Sequence, residues 1–91
     1  MFDVQQIQKR YKVSQADAVE IARVQAAAFD YGARGVPLDA DEVEDDALFD
    51  IEQLEASIVH LPENAIRRAF DAAYRAGAAK AKRDARRQRA A

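Results

Sequence analysis

PENAIRRAFDAAYRAGAAKAKRDARRQ, residues 62–88, reads as one long helix and decides the architecture of this 91-residue chain. Pro62 suits a first helical position, where its missing N–H would have no partner in any case, and acidic Glu63 follows it. Ile66, Ala69, Phe70, Ala73, Tyr74, Gly77 and Ala81 recur every three or four residues, so they form one apolar stripe. Beyond Ala81 the same face meets Asp84 and Gln88, and the stripe fades. At 1.5 Å per residue this helix is about 40 Å long. Its last two turns therefore project beyond a bundle of shorter partners. The spacing predicts a helical domain over 1–81 and a basic extension of the C-terminal helix over 82–91.

Working back along the chain, LDADEVEDDALFDIEQLEASIVH (38–60) predicts a helix that starts near Glu42. Asp39 and Asp41 both offer caps, and acids crowd the first turn, where the helix dipole favours them. Val43, Ala47, Ile51, Leu54, Ile58 and Leu61 make a clean apolar stripe. Phe49 falls on the opposite side, near Ala56 and His60. An earlier helix is predicted from Ser14, a natural N-cap with Asp17 at the third position, to about Tyr31. Its inner face is Ala18, Ile21, Val24, Ala28 and Tyr31, with Ala22 and Phe29 flanking. Glu20–Arg23 and Asp30–Arg34 have the spacing of surface ion pairs. Gly32 and Gly35 read as the stop, with Pro37 blocking any continuation. A short helix from about Val4 to Lys12 is expected ahead of it. Asp3 and Gln6 have the spacing of a capping box, and Phe2 and Ile7 that of a hydrophobic staple. The fold expected is all-α, a small bundle of three longer helices plus a short N-terminal one. Strand formers are scattered and Thr is absent.

Composition removes most chemistry. The chain has no cysteine, so disulfides, thiolate metal sites and cysteine nucleophiles are all excluded. It has one histidine, His60. Ser57 stands three residues before it, within reach on a continuous helix, but no acid completes a triad there. The run from Asp39 fails as an EF-hand loop, with Val43, Glu44 and Asp50 at its fifth, sixth and twelfth positions. No glycine-rich phosphate loop occurs. An enzyme, a bound cofactor, a metal and a small-molecule substrate are not expected. No 18-residue apolar run exists, so no membrane span is expected, and residues 1–10 lack the apolar core of a signal peptide. The expected location is cytoplasmic, or the virion if the chain is viral.

A segment resembling a helix-turn-helix occupies IQKRYKVSQADAVEI, residues 7–21. Val13-Ser14 matches the end of such a turn, and Ile21 takes a core offset. The resemblance implies a DNA-reading second helix. That helix begins QADAVE, with two acids and no base to reach a base edge, and Lys12 stands where glycine is usual.

Charge is the feature that points to function. Residues 1–62 hold thirteen acids and five bases, a net −8, whereas residues 63–91 hold nine bases and three acids, a net +6. No basic residue occurs between Arg34 and Arg67. Two candidate contact surfaces follow. One is acidic and apolar: Asp41, Glu42, Asp45, Asp46, Phe49, Asp50 and Ala56. The other is a basic stripe on the last helix: Arg68, Arg75, Lys82, Arg86 and Arg89. With only four Phe, three Tyr and no Trp, the core is thin, which favours self-association or docking on a partner. The expectation is a non-catalytic protein–protein interaction module, a small component or adaptor of a larger assembly such as a bacteriophage particle. Two alternatives are nucleic-acid binding by the basic helix, and acidic inhibition of another protein's nucleic-acid-binding site.

Overall fold

The computed structural model describes residues 2–90, and among them there are helices and connecting turns but no strand. The elements are α1 (Val4–Tyr11), α2 (Gln15–Arg34), a π-helical segment (Val43–Leu48) that leads directly into α3 (Phe49–Ser57), and α4 (Ala65–Ala90). The expected all-α bundle with one short and three longer helical elements is what the chain adopts.

The starts of α1 and α2 follow from their caps. The Asp3 carboxylate accepts from the backbone N–H groups of Gln5 and Gln6 at 2.8 and 3.2 Å. Ser14 Oγ accepts from the Asp17 N–H at 3.2 Å. Each such cap is worth about 1 kcal/mol. Phe2 lines a groove with Ile7, and its ring stands edge-on to Phe29 of α2, with centroids 6.4 Å apart. Lys12 ends α1 in the left-handed region, φ 55°, where glycine is the easier residue. The helix–turn–helix shape is therefore present in α1 and α2. The exposed start of α2 carries Gln15, Ala16, Val19 and Glu20, and Arg23 is engaged by Glu20 at 3.5 Å. Residues 15–22 of α2 carry no Lys or Arg.

α2 runs three residues past its expected end. Gly32 is not part of the stop; it is a contact point inside the helix. A Cβ placed on it would overlap the backbone carbonyl oxygen of Tyr74 in α4 and lie 3.1 Å from the Ala78 nitrogen. Gly77 in α4 repeats the contact in the other direction. A Cβ there would overlap the Phe29 carbonyl oxygen and sit 3.0 Å from the Ala33 nitrogen. The two backbones touch because both helices lack a side chain at the crossing. The stop belongs to Gly35 alone, φ 71°, in a Schellman arrangement: its N–H donates to Gly32 O and the Val36 N–H donates to Tyr31 O at 2.9 Å.

α2 and α4 lie side by side and run in the same direction. Near their far ends Gly32 faces Tyr74 and Ala78. At their near ends Ala65 shares a surface groove with Tyr11 and Lys12, just ahead of α2. The π-helical segment and α3 run back the other way, so that Glu55 near the end of α3 meets Arg67 near the start of α4. Ile21, Ile51 and Val43 are the largest fully buried side chains, joined by Val24, Leu54, Ile58, Ile66 and Phe70. Burying each such side chain stabilises the fold by about 1.5–3 kcal/mol.

Two further boundaries differ from expectation. α3 ends at Ser57, because Ile58 leaves helical geometry (φ −109°, ψ 81°); Ile58 stays buried and Leu61 half-buried from the loop that follows. α4 begins at Ala65, three residues later than Pro62 indicated. Asn64 sits in the left-handed region (φ 64°), which breaks the helix on its N-terminal side, and Pro62 becomes part of a turn whose carbonyl accepts from the Ala65 N–H at 3.1 Å. With 26 residues α4 is about 39 Å long. Because α2 ends level with residues 74–78, the remainder of α4 stands clear of it. The radius of gyration, 14.3 Å, exceeds the roughly 12 Å of a compact chain of this length, and the long dimension is 48 Å.

Candidate interaction surfaces

The acidic run sits where the helix widens. Val43 and Ala47 are buried on the inner side of the π-helical segment, while Glu44, Asp45 and Asp46 face solvent. In an α-helix, positions four apart advance by about 40° per step. A π-helical turn contains more residues, so Val43, Ala47 and Ile51 stay in line despite two successive four-residue steps. The price-free consequence on the outside is a continuous acidic face: Asp41, Glu42, Asp45, Asp46 and Asp50 are all exposed. Phe49 stands among them, 58% exposed. Ala56 is exposed seven residues on, on the same side of α3. The face lies at the end of the bundle from which α4 projects. Tyr31, in the last turns of α2, is near enough to register it: burial first, and then Asp46 and Glu42, push its hydroxyl pKa above the ordinary value, so it stays neutral.

Arg68, Arg75, Lys82, Arg86 and Arg89 are all exposed on α4. Their spacing puts them on one side of the helix. Among the described residues none of the five has a carboxylate within 4.0 Å. The stripe rises through 21 residue steps from Arg68 to Arg89, about 31 Å. On the opposite side Ile66, Ala69, Phe70, Ala73 and Gly77 are buried, Ala81 is half-buried, and beyond it only Asp84 keeps partial cover. Lys80 donates to Asp84 at 2.9 Å, and that hydrogen bond holds the Asp84 carboxyl below its usual pKa.

Three contacts of this region lie between elements distant in sequence. Arg67 Nε donates to Glu55 at 3.1 Å, taking one acid of α3 and one base of α4 out of the two charged faces. Tyr74 donates its hydroxyl hydrogen to the Val36 carbonyl at 2.6 Å, tying the loop after α2 to α4. His60, off the helix, places Nε2 3.0 Å from the Tyr11 carbonyl, and its Nε2–H tautomer satisfies the C-terminal end of α1. Ser57 donates to the Gln53 carbonyl at 2.9 Å. Both are engaged with backbone, and they do not share a helix. The spacing of Glu55 and Arg67 carries a signal only in that Arg67 is the first base after Arg34.

Concave features are shallow. The groove between the π-helical segment and α4, lined by Leu38, Val43, Leu48, Ile51, Phe70 and the Arg67–Asp71 side, measures about 210 Å³, and a wider one along α2 between Phe2, Val19 and Phe29, about 490 Å³, lies open to solvent. Small-molecule sites are usually about 300–1,000 Å³ and enclosed. Among the described residues no three His, Cys, Asp or Glu side chains gather as a metal site would require. No helix among them is long and apolar enough to cross a membrane. Comparison of the chain with protein-family models, with curated proteins and with solved structures finds no match.

Proposed function

We propose that this protein is a non-catalytic interaction module that docks through charged helix faces, as a small component or adaptor of a larger assembly. The observation that carries this reading is the unpaired projecting end of α4. Residues 82–89 carry Lys82, Arg83, Arg86, Arg87 and Arg89, and all five are exposed. A core is complete without them. Holding so many like charges on a rigid helix is unfavourable alone and becomes favourable against a surface of opposite sign. The acidic face with Phe49 is a second contact of complementary character, an aromatic anchor set among carboxylates.

The test is capture of protein partners from a lysate of the source cells on the immobilised 91-residue chain. Capture is expected from the native chain and is expected to fall at least tenfold when Lys82, Arg86 and Arg89 are all changed to Glu. The reading fails if the native chain neither captures protein nor associates with itself.

A second reading is nucleic-acid binding through α4. The 31 Å stripe is close to the length of one duplex turn, about 34 Å, which favours phosphate contacts along one groove edge. Against it, no aromatic residue follows Tyr74 to stack on bases, and the acidic face repels phosphate at the end of the bundle from which α4 projects. A gel-shift titration at two salt concentrations separates the readings. Steeply salt-dependent retardation, abolished by the same three substitutions, supports nucleic acid, and no retardation at low salt rejects it.

A further inference from the structure

We infer that the acidic partner of the projecting helix is a second copy of this chain. Two copies associate about a two-fold axis, and the basic tip of each α4 lies against the other's acidic face, at the end of the bundle from which α4 projects. The inference rests on the interaction-module reading and names the partner.

Both surfaces are unsatisfied within one copy. Among the described residues Lys82, Arg86 and Arg89 have no carboxylate within 4.0 Å, and Asp41, Glu42, Asp45, Asp46 and Asp50 have no Lys or Arg within that distance. Each set also contains like charges at helical spacing: Asp41 with Asp45, Glu42 with Asp46, Lys82 with Arg86. Such pairs repel, and a surface of opposite sign relieves the repulsion on both sides at once.

One copy cannot supply this relief to itself. α4 is an uninterrupted helix to Ala90, without glycine or proline after Gly77. A straight helix carries its tip away from its own bundle, about 16 Å beyond the level of Ala79. The acidic face is nevertheless at that same end of the bundle, beside the last turns of α2. A second copy turned through 180° brings its tip down to this face while receiving the first copy's tip on its own. The contact is self-complementary and closed, the arrangement most homodimers adopt. Ala78, Ala81 and Ala85, three and four residues apart, give the two helices a side on which they can approach closely. Phe49, between Asp46 and Asp50, adds apolar area to the receiving face.

Sedimentation equilibrium of the full chain tests this. At about 50 mM salt, where charges are weakly screened, a mass twice the 10.1 kDa chain mass is expected, and at about 0.5 M salt it falls towards the single chain. The triple variant Lys82→Glu, Arg86→Glu, Arg89→Glu should be monomeric at low salt. So should Asp41→Lys, Asp45→Lys, Asp46→Lys. All six sites are exposed, and circular dichroism checks that both variants keep their helices. Mixed in equal amounts, the two variants should regain the doubled mass, because each tip then meets a face of opposite charge. The inference is overturned if the native chain stays monomeric at low salt, if either reversal leaves the dimer intact, or if the mixture stays monomeric. A monomeric native chain that still captures another protein would overturn this inference and leave the module reading standing. Failure of both measurements would remove both.

Discussion

α4 has two halves that obey different rules. From Ala65 to Ala81 it is a packing element: Ile66, Ala69, Phe70, Ala73 and Gly77 are buried, and its backbone touches α2 at two glycines. From Lys82 onward it is almost wholly exposed, with five bases and one acid before Ala90. The same helical geometry serves both halves. In the first, burial and close approach determine which residues are tolerated. In the second, side-chain charge is the quantity that matters, and the helix acts as a rigid spacer. Substitutions should therefore have opposite signatures on either side of Ala81.

The largest effect is expected at the glycine crossing. Gly77→Ala adds helix propensity worth up to about 1 kcal/mol. It also forces a methyl group into the Phe29 carbonyl, and a backbone group cannot rotate out of the way. Overpacking of this kind costs about 3 kcal/mol. The net loss, about 2 kcal/mol, corresponds to roughly 10 °C in thermal unfolding for a domain of this size. A rise in melting temperature would mean that the helices do not cross there. Tyr74→Phe comes next. Removing the 2.6 Å hydrogen bond to Val36 should cost about 1 kcal/mol, read as a lower denaturant midpoint with an unchanged slope.

In the outer half the expected effects on stability are small. Ala85→Gly carries a propensity cost of about 1 kcal/mol, but the cost falls on local fraying. Amide exchange over residues 82–89 should accelerate while the melting temperature hardly moves. At about 0.5 M salt, where association is screened, the triple change of Lys82, Arg86 and Arg89 to Glu should shift stability by no more than about 0.5 kcal/mol, since it touches only exposed side chains. Its effect should appear in association. If either outer change lowers global stability as much as Gly77→Ala does, the division of α4 is wrong.

Sequence periodicity conveyed most of the fold because burial follows it closely. Every inner-face residue read for α2 and α4 is buried or half-buried, and so are Val43, Ala47, Ile51, Leu54 and Ile58. Local signals succeeded where the interaction is local, as at the Asp3 and Ser14 caps and the Asp30–Arg34 pair, 2.8 Å apart. They failed where the deciding partner lies far along the chain. Gly32 resembles a helix stop until Tyr74 is set against it. Pro62 is a good first helical residue, but Asn64 takes the left-handed turn that delays α4. The π-helical widening leaves only a faint trace, the pair of four-residue steps from Val43 to Ile51. As for the contact surfaces, charge segregation was visible in the residue order. The placement of the acidic face at the end from which α4 projects was not, because it depends on α2 and α4 running parallel with α3 returning between their ends.

The most direct measurement is thermal unfolding of a chain ending at Ala81 beside the full chain, at matched protein concentration and two salt concentrations. At about 0.5 M salt, where charged association is screened, the two midpoints should coincide within about 2 °C. At about 50 mM salt the full chain should melt higher, by an amount that grows with its concentration, because association stabilises the folded state. A shortened chain that melts far below the full chain at both salts would contradict the claim that residues beyond Ala81 serve contact and not the fold.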